Sequence, residues 1–253
     1  MREVLRRIKA LLAFLTIIPV GMGPDCLKEA AGQMHLFPLV GAFVGSLAGL
    51  FAWFALNALP GPVAGMLTLG FLLALTGLHH TDGLLDFGDG LAFRGSPQEK
   101  IGVMRDQRTG AGGLALGLVS LSTTALCIAS LSTSVVVQSL VASEASAKLA
   151  MVMTAWAGRS ASEGMGSQFV EAMHSSHRRL RLMVAMAISL GMAVPLLWIT
   201  GLVAILMGMA VALIITDISD RNFKGVTGDV MGATNELARM ASLIAILVIL
   251  RWA

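Results

Sequence analysis

The chain has 253 residues, 56% of them hydrophobic and 13% charged, with a net charge of +3 and a mean hydropathy of +0.80. So large an apolar share with so few charges excludes an ordinary water-soluble domain and a disordered chain. The small positive excess suits anionic lipid, and no basic tract or motif points to nucleic acid.

Residues 1–20 come first. Arg2, Arg6, Arg7 and Lys9 precede an apolar run that stops at Pro19, which resembles a secretory signal. No small-x-small cleavage site follows, and Val4, Leu5, Ile8, Leu11, Leu12 and Leu15 recur at helical spacing. An interfacial amphipathic helix or a re-entrant hairpin is therefore expected. Windows of membrane-spanning length are then expected at 36–59, 62–78, 114–131, 135–156, 182–198, 202–215 and 237–250. The sixth is short. The fourth carries Glu144 and Lys148, each costing roughly 2.5–3.5 kcal/mol at mid-membrane if unpaired, so a structural i, i+4 pair is expected rather than a transport relay. The expected fold is all-α: a polytopic integral membrane helical bundle of about seven spans plus the N-terminal helix. No repeat, low-complexity tract or linker divides residues 1–253, which read as one domain. Cys26 and Cys127 are too few and too far apart for a zinc site or a disulfide framework.

Charge placement orients the spans. With the N-terminus cytoplasmic, the connections at Pro60-Gly61, Ser132-Thr133 and Thr200-Gly201 fall outside and contain no Lys or Arg. The opposite connections hold Arg94, Lys100, Arg105 and Arg108, then Arg159, Arg178, Arg179 and Arg181, then Arg221 and Lys224. This is the positive-inside pattern, and nearly all the acidic residues share that side. The expectation is a multi-pass cell-membrane protein whose chemistry faces the cytoplasm.

The chemistry concentrates after the second span, in Asp82-Gly83-Leu84-Leu85-Asp86-Phe87-Gly88-Asp89-Gly90. Asp82, Asp86 and Asp89 fall on one helical face. Like charges about 6 Å apart repel by roughly 3 kcal/mol per pair at an effective dielectric of 20, so this face either splays into water or binds cations. Magnesium with a phosphate substrate suits carboxylates at a membrane surface. Ser96-Pro97-Gln98-Glu99 is a capping box; its helix is expected to carry Lys100, Arg105, Asp106 and Arg108 as far as Gly110 and to return Asp106 toward the aspartates. Arg105 and Arg108 supply positive charge for a pyrophosphate. Before the last span, Gly228-Asp229-Val230-Met231-Gly232-Ala233-Thr234-Asn235-Glu236 sets Asp229 and Glu236 seven apart on one face, beside the amide of Asn235. His80 stands where it can orient a carboxylate or touch phosphate. His174, His177, Arg178, Arg179 and Arg181 read mainly as headgroup anchors, with Arg159 and one of the later arginines candidates to clamp a substrate phosphate.

At these motifs the chain resembles the cobalamin synthase family nearly end to end. The likeness runs through Phe14-Leu15-Thr16 with Pro19, Phe37-Pro38-Leu39-Val40-Gly41, His80-x-Asp82-Gly-Leu-x-Asp86-x-x-Asp89-Gly, Met104-Arg105-Asp106-x-Arg108-x-Gly110 and Gly228-Asp229-x-x-Gly232-Ala233-x-x-Glu236. Thr81, Leu85 and the doubled His79 depart from the family pattern without touching a carboxylate. The resemblance implies a magnesium-dependent enzyme that joins adenosylcobinamide-GDP to α-ribazole, or its 5′-phosphate, and releases GMP. Its implied catalytic set is Asp82, Asp86, Asp89, Asp106 and Glu236, the first four holding magnesium. Substrate contacts are expected from His80, Arg94, Arg105, Arg108, Arg159, Asp229 and Asn235. The general base stays open between Asp82 and Glu236, and a homo-oligomer remains open.

Two alternatives bear on this. CDP-alcohol phosphotransferases carry a comparable aspartate signature, partly matched by Asp86-x-x-Asp89-Gly90-x-x-Phe93-Arg94 and Gly102-x-x-x-Asp106-x-x-x-Gly110. The spacer here is one residue short, and Gly110 replaces the final Asp. A transporter is disfavoured because the conspicuous carboxylates sit on one side rather than at a midplane between repeats.

Overall fold

The structure is a computed structural model that describes residues 2–21, 23, 25–175 and 177–252. Eleven α-helices account for its regular structure, with no strand among the described residues. In chain order they are α1 (Arg2–Leu15), α2 (Cys26–Gly32), α3 (Phe37–Ala58), α4 (Gly61–Leu75), α5 (His79–Ala92), α6 (Pro97–Met104), α7 (Ala111–Ser130), α8 (Val136–Ala157), α9 (Met165–Met173), α10 (Arg178–Phe223) and α11 (Gly228–Trp252). Five of them, α3, α7, α8, α10 and α11, are long and apolar enough to cross a membrane. Large apolar side chains such as Leu50, Phe54, Leu118, Leu126, Ile214 and Val248 point outward from them, as lipid-facing surface requires.

Two expected spans, 182–198 and 202–215, merge into the 46-residue α10, which is about 69 Å at 1.5 Å per residue, twice a bilayer core. Trp198 breaks it with non-helical angles (φ 52°, ψ −128°) just after Pro195, whose missing N–H weakens the helix there. The chain doubles back, so that Gly201 lies against the backbone of Ala193, giving two antiparallel arms, 178–197 and 199–223. The second arm outruns the expected span because Thr216, Asp217, Ser219, Asp220 and Arg221 continue the helix past the apolar stretch. Counting the bent pair of α4 and α5 as one span raises the candidates to six, and the two arms of α10 fall on the two windows expected at 182–198 and 202–215. Likewise the last helix begins at Gly228 rather than 237, since its first two turns are polar.

Glycine faces let the helices meet closely. In α3, Gly41, Gly45 and Gly49 lie against Glu144, Leu140 and Val137 of α8 in reverse order, an antiparallel pair with little room for a side chain between the backbones. α8 is the centre of the bundle, buried along nearly its whole length. Ser146 and Ser242 both donate to the carbonyl of Ala204 at 2.9 Å, tying α8 and α11 to the second arm of α10.

A left-handed turn at Gly77 (φ 66°) and Leu78 (φ 63°) bends α5 by 98° from α4. α5 therefore lies across the first turns of α7 and α11 rather than continuing the crossing. Gly83 meets the backbone of Asp229, and Gly88 meets Gly112 and Gly113. At the N-terminus, α1 and α2 form a helical hairpin: Arg6 pairs with Glu29 at 3.1 Å, and Leu11 and Leu15 are buried while Leu5 and Ile8 are exposed. Met1 and the side chains of Arg2 and Val4, part of the expected 1–20 pattern, lie outside the described residues.

The α6 helix has the expected capping box, with Ser96 Oγ accepting from the Glu99 N–H and Glu99 accepting from the Ser96 N–H. It ends at Met104, so Arg105, Asp106 and Arg108 occupy the turn into α7 rather than the helix expected to reach Gly110. Gly110 and the glycines behind it favour an extended entry to a new helix over continuation.

Candidate active site

The aspartates of α5 do not share one environment. Asp82 is exposed, Asp86 is half-buried and Asp89 is buried. Asp89 Oδ2 accepts from the Gly110 N–H at 2.6 Å and Oδ1 from the Gly113 N–H at 2.8 Å. It thus caps the N-terminus of α7, where a carboxylate satisfies free N–H groups and complements the helix dipole. The crossing of α5 over α7 at Gly88 brings it there.

Asp86 has no such relief. Burial, then the negative charges of Asp82, Asp229 and Asp89, push its carboxyl up to about 7. Asp229 belongs to the first turn of α11 and accepts from Thr227 Oγ1 at 3.2 Å. The two acidic motifs, more than 140 residues apart in sequence, thus meet because Gly83 lets the backbones of α5 and α11 touch.

The expected basic residues are dispersed. Arg105 Nη2 donates to Ser162 Oγ at 3.0 Å and lies near enough to Asp229 to act on its charge. Arg108 lines an open cleft with Asp89 and Asp106, and Asp106 Oδ1 accepts from the Arg108 N–H at 3.3 Å. Arg94 is exposed at the end of α5. Arg159 is held on the end of α10 by Asp220 (3.0 Å) and the Lys224 carbonyl (3.1 Å).

Asn235 and Glu236 face the bundle interior. Arg239 binds both Glu236 and Glu144, Lys148 Nζ donates to Asn235 Oδ1 at 2.6 Å and approaches Glu144 Oε2 at 3.5 Å, and Asn235 Nδ2 donates to Glu236 Oε1 at 3.1 Å. These five side chains are at most 2% exposed. Two carboxylates and two cations balance, as buried charges require. The Glu144–Lys148 pair expected from sequence is therefore part of a larger network. Sequence reasoning passed over Arg239, although an arginine inside an apolar helix three residues after Glu236 is itself a signal.

Beside the acidic group opens a cavity of about 500 Å³, lined by His79, His80, Asp82 and Asp229 and by Phe14, Phe37 and Phe169 with several methionines. Its wall is assembled from α1, α2, residues 34–37, α5, α8, α9 and α11. A two-residue bridge (Val226 N–H to the Arg159 carbonyl, 2.7 Å; Ala161 N–H to the Val226 carbonyl, 3.1 Å) fixes the loop before α9 against the turn before α11. Gly166 then packs on Gly228, which brings Phe169 over the site. His80 is 6% exposed and its Nδ1 has no hydrogen-bond partner; burial, with Lys148, Arg239 and His79 nearby, holds its imidazole well below the usual range, hence neutral at pH 7. The phenylalanine and methionine wall had no sequence reading as a site.

Hard oxygen donors with surplus negative charge fit a divalent cation such as magnesium. Among the described residues no three His, Cys, Asp or Glu side chains close on one point.

The cobalamin-5-phosphate synthase family model matches residues 7–247. An adenosylcobinamide-GDP ribazoletransferase of Methanocella arvoryzae is 40% identical, over 95% of this chain and 95% of its own length. Proteins of the same name from Halorubrum lacusprofundi (35%, 96% of each chain) and Methanococcoides burtonii (31%, 95% of this chain and 91% of its own) are similar along nearly their whole length. No solved structure matches. The full-length match, the paired acidic motifs brought together across α5 and α11 and the all-helical membrane bundle have one reading: this chain belongs to the cobalamin-5-phosphate synthase family.

Proposed function

We propose that this protein transfers the adenosylcobinamide-phosphate group of adenosylcobinamide-GDP to α-ribazole, or its 5′-phosphate, forming adenosylcobalamin or its phosphate and GMP, on the cytoplasmic face of the cell membrane. The observation that carries the reading is the acidic group of Asp82, Asp86 and Asp229, two of which line the cavity, in a chain similar along its length to proteins named for this transfer. Asp86 and Asp229 would hold magnesium, with Asp82 adding negative charge. When bound, the ion neutralises pyrophosphate oxygens as the phosphoryl group moves. Arg105 and Arg108 bring positive charge to the same face for the nucleotide phosphates.

A ribose hydroxyl oxygen attacks the phosphorus next to cobinamide; the new P–O bond forms as the bond to the GMP oxygen breaks. Asp82, exposed and on the cavity wall, is placed to take the hydroxyl proton. Glu236, enclosed by Arg239 and Asn235, supports α11 behind the site. Asp89 holds the start of α7 in place beneath Asp86. The test is GMP release and corrinoid product formation by the purified protein in lipid, with and without EDTA. Product formed only with magnesium is expected, and no product with both substrates present would overturn the reading.

A further inference from the structure

The cavity has more apolar wall than a phosphate site uses. Its volume of about 500 Å³ lies within the roughly 300–1,000 Å³ range of sites for small organic ligands. Phe14 from α1, Phe37 at the start of α3 and Phe169 from α9 pack as one group. Phe14 and Phe169 have ring centroids 4.8 Å apart and 38° between planes; Phe37 meets Phe169 at 5.8 Å and 62°. A planar aromatic entering the cavity meets the partly exposed Phe14 and the small open part of Phe169 (3% exposed), with the fully buried Phe37 backing both rings. The neighbouring Met34, Met151 and Met165 adapt to its outline.

His80 lines the same cavity with Asp82 and is 6% exposed, so the cavity has a polar side as well as an apolar one.

We propose that this cavity is the acceptor subsite: it takes the planar base of α-ribazole beside Phe14, Phe37 and Phe169 and turns the ribose toward His80 and Asp82. The inference rests on the reaction proposed above and adds where one substrate binds. The donor fits poorly. Its corrinoid is far bulkier than the cavity, and guanine would leave several polar edge atoms unpaired against phenylalanine and methionine. A dimethylbenzimidazole exposes a single ring nitrogen besides the one bound to ribose, so an apolar wall leaves little of it unsatisfied. With the base beside the phenylalanines, the attacking hydroxyl lies toward the acidic residues, where the donor's phosphates arrive from the exposed side. Because Phe14 belongs to α1, the N-terminal hairpin forms part of the acceptor's wall.

Steady-state kinetics of the full chain in lipid nanodiscs, varying each substrate separately, tests this. Phe169→Ala is expected to raise KM for α-ribazole about tenfold or more, the scale of losing one aromatic wall, while leaving KM for adenosylcobinamide-GDP within about twofold. Phe169→Leu, which keeps apolar volume for folding, should shift the same constant in the same direction by a smaller factor. The subsite is wrong if Phe169→Leu is folded and leaves the acceptor KM unchanged, or if the donor KM rises instead. It is also wrong if both constants move together, as a merely structural ring or a lipid-filled cavity would give. These outcomes require turnover by the unaltered protein; its absence would instead strike the reaction itself, and the subsite with it.

Discussion

Two clusters of charged side chains sit at successive depths around α11. At its first turn, Asp229 joins Asp82 and Asp86 with their negative charges reinforcing one another. Two turns further in, Glu144, Lys148, Asn235, Glu236 and Arg239 are more deeply buried but bonded to one another and balanced in charge. The contrast separates two uses of charge within one helix. Balanced, mutually bonded groups hold α8 to α11. An unbalanced group half open to solvent keeps its charges repelling one another, which is where a bound cation would act and where chemistry is to be sought.

The sharpest challenge to this contrast is Asp86→Asn. It keeps shape and removes one of the repelling charges, so turnover should fall by about 10²–10⁴, the range for losing a principal electrostatic group, while the metal-free protein melts no lower than the parent. GMP release and thermal unfolding, measured side by side, check both halves. A variant that lost stability and kept turnover would make the acidic cluster a structural one.

The opposite pattern is expected of Arg239→Met. Two buried carboxylates lose their partner, which should destabilise the fold by about 3–5 kcal/mol, seen as a large loss of folded protein or a lower melting temperature. Glu236→Gln separates structure from chemistry. Its removal should lower stability and leave turnover of the folded fraction near that of the parent. If the variant instead folds normally and turns over far more slowly, Glu236 is the proton acceptor and Asp82 is not.

Asp89 lies between the two kinds. Asn in its place keeps one acceptor for the N–H groups of Gly110 and Gly113 and loses the other along with the charge. A stability loss of about 1 kcal/mol is expected, with turnover reduced less than in Asp86→Asn. Equal losses in the two variants would group Asp89 with Asp86 and Asp229, the carboxylates proposed to bind a metal.

The smallest effect is one of pH. The Asp86 carboxyl is raised to about 7 in the folded protein, above its unfolded range near 4. Its contribution to stability is therefore full below about pH 4 and is lost as pH rises through about 7. In EDTA, this group should make the melting temperature fall across that window; Asp86→Asn should flatten the slope, and magnesium at pH 8 should restore stability. A parent protein with the same slope as Asp86→Asn would show that the repulsion is relieved without a metal.

Much of this was legible in the residues alone. Length and hydropathy dictate a membrane bundle because a bilayer core admits only helices or closed barrels of defined length. The Ser96–Glu99 capping box and the positions of most spans follow from local pattern, whereas the polar extension of α10 past residue 215 does not. The i, i+4, i+7 aspartates, read with the late glycine-aspartate motif, mark the acidic face and the family. What a one-dimensional pattern cannot specify is which helix meets that face. Asp82, Asp86 and Asp89 share a side of α5, yet only the bend at Gly77 and Leu78 lays that helix over the starts of α7 and α11. There Asp89 is taken by backbone N–H groups while Asp229 comes to Asp86. Glu236 likewise looks like a partner for Asp229 by spacing, but seven residues along a helix are two turns, or about 10 Å of depth, enough to carry it from the cavity wall to Arg239. The aromatic wall is the extreme case: Phe14, Phe37 and Phe169 carry no periodic signal in common, and only tertiary packing makes them one surface.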